Sequence, residues 1–167
     1  TTISRQRFVV SRTFLKYILS GILSGQNIVD IHLIRSGDGR ILVKDQTHVY
    51  ICLSYSGTTL AITVGKRKLG SDLEEVRPIR DKKITASPLF THYTCTPDKE
   101  HVQQVIHVWT LIESYAKLYD TNPYPLLTGC SAFGDADFVS YSIHQHMIFS
   151  LAMARGHFTD VLVWLDI

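Results

Sequence analysis

Apolar residues at positions 8, 15, 18, 19, 22 and 23 recur at three- and four-residue steps, which predicts a helix over 8–23 that ends near Gly25, Gln26 and Asn27. A second run of helical period (Val102, Val105, Ile106, Trp109, Ile112, Ala116) predicts a helix to about residue 119. Thr96 can cap it, Pro97 suits the first helical position, and Asp98 and Glu100 suit the first turn. Between the helices lie short β-like runs at 28–35 and 41–44, divided by the turn signal Ser36-Gly37-Asp38-Gly39. Further runs at 49–54, 58–64 and 69–74 read as an antiparallel meander that turns at Gly57 and at Gly65-Lys66-Arg67. Asn122-Pro123-Tyr124-Pro125 stops the second helix, and the small residues of 128–137 predict a flexible loop. Three strands follow at 138–146, 147–154 and 157–165, the middle one buried. The order of elements makes the fold α+β.

Within 69–74 the strand period puts Gly70, Asp72 and Glu74 on one face and Leu69, Ser71 and Leu73 on the other. Two carboxylates on one face repel unless a cation, a shared proton or solvent relieves them. A solvated edge strand satisfies that condition, and so does a hard divalent metal. Glu113 falls four residues beyond Trp109, on the apolar stripe of the second helix, where a carboxylate needs a partner; Lys117 is one turn away. Asp72, Glu74 and Glu113 together make the oxygen set that magnesium takes when water and phosphate complete its shell.

Composition changes the picture little. A chain of 167 residues, 45% hydrophobic and 19% charged, has the length of one domain or of two small lobes sharing a core. No apolar run approaches a membrane span, so no membrane partner is expected. Three cysteines without CxxC spacing suit a reducing compartment, the cytoplasm, and no signal peptide opens the chain. A net charge of +2 does not imply nucleic acid as a partner. Basic residues are instead local: Arg5, Arg7, Arg12 and Lys16 sit at or near the start of the first helix, where cations oppose the macrodipole. They read either as a waiting anion site or as a solvated basic face.

Three blocks, in order, resemble the 4′-phosphopantetheinyl transferase superfamily, in its longer, two-lobed branch. They are Leu53-Ser54-Tyr55-Ser56-Gly57, Gly70-Ser71-Asp72-Leu73-Glu74, and the stretch from Trp109 through Glu113 to Lys117, with Ser11-Arg12-Thr13 and Gly39-Arg40-Ile41 in support. The resemblance covers residues 5–117. It implies two similar lobes (1–64 and 65–167), each a small antiparallel sheet packed on a helix, in a monomer. It also implies transfer of 4′-phosphopantetheine from coenzyme A to a serine of an acyl- or peptidyl-carrier domain, with magnesium as cofactor. Carried over by position, Asp72, Glu74 and Glu113 would hold the metal, and Glu113 would take the serine proton. Lys117 would neutralise the pyrophosphate. Ser54, Arg12 and Thr13 would contact phosphate oxygens, and Arg40 would lie near the adenine.

Two positions depart from the family pattern. Tyr55 replaces a histidine that contacts the 3′-phosphate, and a phenol carries no positive charge at neutral pH. Ile112 replaces the lysine before the metal-binding glutamate, and the turn after Lys117 lacks the family's glycine. These departures set a second reading beside the enzyme: a weakened relative that binds a carrier domain or a nucleotide. A metal-dependent nuclease or phosphatase on the same carboxylates would need a distinct motif and a strong basic groove, and the sequence signals neither. His144 and His146, like His101 and His107, read as surface, Trp109 and Trp164 as core, and no histidine and acid can be assigned to activate Ser54 or Ser56.

Overall fold

The computed structural model describes residues 2–23, 26–37, 39–78, 84, 86–91, 99–128, 133–143, 146–156 and 161–166. Helix α1 (Thr2–Ile22) starts earlier than the apolar period predicted, so Arg7, Arg12 and Lys16 lie in its body rather than at its N-terminus. The macrodipole argument for an anion at that terminus therefore lapses. Leu15 and Leu19 are fully buried against Ile31, Ile51, Leu60 and Ile62, which fixes the inner face of the helix.

Residues 28–35 do not form one strand. Val29 is 76% exposed, and the chain makes a 3₁₀ turn at Ile28–Asp30 before the short strand β1 (Leu33–Arg35) pairs with β2 (Ile41–Val43). Strands β3 (Tyr50–Ser56) and β4 (Thr59–Gly65) form the predicted hairpin, turned at Gly57 with φ 58°. There the meander stops. The far neighbour of β4 is β8 (Val161–Asp166), while β5 (Leu69–Glu75) leaves for another sheet, in the order β5–β7–β6. Strand β7 (Met147–Ala154) is the buried centre of that sheet and β6 (Ala136–Ile143) its far edge. The fold is α+β, with small antiparallel sheets and helices packed on them.

One face of β5–β7–β6 closes over Leu69, Leu73, Phe149 and Met153, joined by Ala61 from β4. The other carries α3 (Lys99–Tyr119), whose Val105, Trp109 and Ile112 also meet Phe90 of the short helix α2 (Pro88–Thr91). A further short helix, α4 (Pro123–Leu126), follows α3. The expected cap Thr96, the centre of the loop at 129–132, and His144 lie outside the described residues.

Two local devices fix α3 on the sheet. At Gly70 a Cβ would stand 2.1 Å from the Ser114 carbonyl oxygen and 2.4 Å from the Leu118 nitrogen, so only glycine lets strand and helix backbones approach this closely. The helix then ends without the glycine its turn would ordinarily use: Asp120 takes the left-handed φ of 55°, and the Thr121 N–H donates to the Ala116 carbonyl at 2.9 Å. That bond is the six-to-one closure of a Schellman motif, with an aspartate in the glycine's place. Arg40 grips the same helix end, donating to the Lys117 and Leu118 carbonyls at 2.5 and 3.2 Å and pairing with Asp120.

Candidate functional site

The close approach at Gly70 brings Asp72, two residues along β5, under α3. Asp72 is 6% exposed, which excludes the solvated-edge reading of its strand. Its Oδ1 accepts from Lys117 Nζ at 2.6 Å, and the same ammonium donates to Ser54 Oγ at 3.0 Å. Its Oδ2 is buried without a hydrogen-bond partner. Burial holds the Asp72 carboxyl above its usual pKa despite Lys117. For Lys117 burial works downward and is the largest single influence, but attraction to Asp72, Cys52 and Glu113 together with the hydrogen bond to Asp72 outweighs it and raises the ammonium.

Glu74 and Glu113 complete an acidic group around this pair. Burial raises Glu74, and repulsion from Asp72 adds to the rise, while Ser56 Oγ donates to Glu74 Oε2 at 3.2 Å. Glu113 is pushed up to about 7, first by burial, then by Asp72 and Glu74, with Lys117 opposing. All three carboxylates are thus held above their usual range, first by burial.

On the other side of Lys117 a cleft of about 530 Å³ opens between α1, β1 and β3. Arg7, Arg12, Arg35, Arg40, Tyr55 and Lys117 line it. Arg12 is half-buried and makes no hydrogen bond or ion pair among the described residues; its guanidinium lies 4.8 Å over the Phe8 ring. Burial lowers its pKa, Tyr55 opposes that, and Arg35 adds to it. Desolvated, crowded by a like charge and unpaired, Arg12 is a cation in want of an anion. Arg7 bonds the Gly57 carbonyl and sits 5.9 Å over the Tyr55 ring.

The predicted site residues separate into groups. Asp72, Glu74, Glu113 and Lys117 face one another, and Arg12, Arg40, Tyr55 and Lys117 share the cleft. Ser54 is 2% exposed and donates to the Ser71 carbonyl at 2.6 Å, so its hydroxyl steadies Lys117 instead of opening on the cleft. Thr13 is exposed and bonds back to the Val9 carbonyl at 2.9 Å, and it does not line the cleft. Arg40 reaches the cleft wall while committed to the end of α3. Ile112 is fully buried beside Trp109 and Phe90, an environment in which a lysine ammonium would be stranded. Arg35 escaped sequence reading because the end of a three-residue strand carries no local signal.

Among the described residues no group of three or more His, Cys, Asp or Glu side chains is placed to hold a metal ion. The donor types are those a hard divalent cation takes: Asp72 raises the proton affinity of Glu74 and Glu113 beyond what burial does, and the buried Asp72 Oδ2 lacks a partner. Among the described residues no helix is long and apolar enough to cross a membrane. No protein-family model matches the chain, and no curated protein matches it.

Proposed function

We propose that this chain is a cytoplasmic 4′-phosphopantetheinyl transferase of the two-lobed kind. The reading is supported above all by the position of Lys117, between the buried carboxylate of Asp72 and a cleft lined by Arg7, Arg12 and Arg35. A cation-seeking group beside an anion-seeking cleft is what a metal-complexed pyrophosphate requires.

Arg12, unpaired in the cleft, binds a coenzyme A phosphate, and Lys117 turns from Asp72 toward the pyrophosphate. Asp72, Glu74 and Glu113 would hold magnesium, which supplies charge neutralisation at the phosphates when bound. The carrier serine Oγ forms a bond to the β-phosphorus while the bond to the bridging oxygen breaks, and adenosine 3′,5′-bisphosphate leaves with that oxygen. Glu113, at the helix side of the same group, would also accept the serine proton. Positioning and charge do the rest.

The test is a transfer assay with magnesium, coenzyme A and unmodified carrier domains, read by the phosphopantetheine mass added to the carrier. The expected result is modification that Asp72→Ala and Glu113→Ala each slow by about 10²-fold or more. One observation favours a second reading, a non-catalytic binding relative: Tyr55, a neutral phenol, stands on the cleft wall where a charged ring would grip phosphate. Absence of transfer to any carrier, together with coenzyme A binding in calorimetry, would decide for that relative.

A further inference from the structure

The two edges of the sheet β5–β7–β6 are finished differently. The β5 edge is sealed by alternate side chains of β3: the Ser71 N–H donates to Cys52 Sγ at 3.3 Å, Ser54 Oγ donates to the Ser71 carbonyl at 2.6 Å, and the Glu75 N–H donates to Ser56 Oγ at 2.8 Å. Three side chains stand in for a missing neighbour strand. The β6 edge has no such cover among the described residues. It also lacks the usual guards: its residues, Ala136 to Ile143, include no lysine and no proline, and its register against β7 runs from Ala136↔Ala154 to Ile143↔Met147 without a bulge.

The sealed edge reveals which peptide groups the open one presents. In an antiparallel ladder the peptide groups of successive residues point alternately to the two sides. Ser71 and Glu75 point away from β7, so Gly70, Asp72 and Glu74 bond to their partners Ala152, Ser150 and Ile148. The intervening residues of β7, Leu151 and Phe149 among them, therefore bond to β6 through Val139 and Tyr141. That leaves the peptide groups of Phe138, Ser140 and Ser142 pointing outward.

We infer that this edge pairs with the same edge of a second copy of the chain, antiparallel about a two-fold axis at Ser140. That register sets Phe138 opposite Ser142 and Ser140 opposite itself, so the outward groups of one strand meet those of the other. It is self-complementary in side chains as well. Val139 falls opposite Tyr141, which is 57% exposed in the single chain, an aromatic against a β-branched residue. On the face toward α3, Ser140 meets Ser140, flanked on each side by a Phe138–Ser142 pair. Asp137, the strand's one charge, is already held by the Gly156 N–H at 2.6 Å and by Arg155 at 4.0 Å. The antiparallel sense places the two copies of Asp137 at opposite ends of the seam, roughly 20 Å apart at ~3.4 Å per residue. A closed two-fold pair leaves neither edge open. On this inference the chain is a dimer, where the resemblance implies a monomer.

Sedimentation velocity of the whole chain tests the inference, with hydrogen exchange read residue by residue. The expected species has twice the 18.9 kDa of the single chain. The amides of Phe138, Ser140 and Ser142 should be protected in it and lose protection on dilution. Ser142→Pro removes an outward N–H at an exposed position without touching the β7 ladder. Tyr141→Lys places a charge opposite Val139. Each is expected to weaken the dimer by at least about tenfold while far-UV circular dichroism stays unchanged. A species that remains monomeric at concentrations on the order of 100 µM overturns the inference. So does a dimer that survives both substitutions with the three amides exchanging freely.

Discussion

Glu113 shows how far the site alters a single group. Folding lifts its pKa from 4.5 to about 7, so between those values the folded protein holds a proton that the unfolded chain has released. The folded state then binds more protons, and stability falls as pH rises through that window. Asp72 and Glu74 are also raised and act in the same direction. With a chelator present, the urea midpoint is expected to correspond to about 1–2 kcal/mol less stability at about pH 7.5 than at about pH 5, after allowance for solvent reaching Glu113. Glu113→Gln should flatten most of that slope; an unchanged slope would show that other groups carry it. The carboxylates themselves were legible in the sequence, because alternation in a strand and a misplaced acid on an apolar helix stripe are local signals. Arg35 was not, and neither was the commitment of Arg40 to the end of α3, since both depend on contacts between segments far apart in the chain.

At the scale of elements, the site depends on how closely β5 meets α3. Gly70→Ala would put a methyl carbon against backbone atoms that have no freedom to retreat, Ser114 O at 2.1 Å and Leu118 N at 2.4 Å. The expected cost is about 3 kcal/mol in urea unfolding, at the upper end of overpacking penalties, with loss of the Lys117–Asp72 pair. A stability change under ~0.5 kcal/mol would mean that strand and helix are not held at this distance. Sequence reading found the glycine as part of a motif and gave no reason for it; the reason is the helix backbone across from it. The hairpin at 50–65 and the buried strand at 147–154 were legible because their apolar patterns are strong. The departure of β5 from the meander was not, because the turn at Gly65-Lys66-Arg67 permits either course and only the partners Met147 to Met153 choose between them.

In the whole molecule β8 returns to β4, with Leu60 opposite Asp166 and Gly65 opposite Val161. Strand β4 is buried along its whole length, so this pairing covers a strand that has no polar face to offer water. Removing residues 161–167 is expected to leave β4 as a flat apolar edge, and the shortened chain should aggregate or lose cooperative unfolding, as followed by Trp109 fluorescence and circular dichroism together. A shortened chain that stays soluble and unfolds in one sharp transition would show that β8 is dispensable. The same pairing bears on the rate at which the fold can form. Hairpins and helices such as β3–β4 and α3 close over short separations, but the β4–β8 ladder joins residues about a hundred positions apart in sequence. Loop closure of that kind is an entropic cost met before its contacts repay it. Refolding should therefore be limited by the docking of β8, with the rest of the chain already assembled and waiting for it.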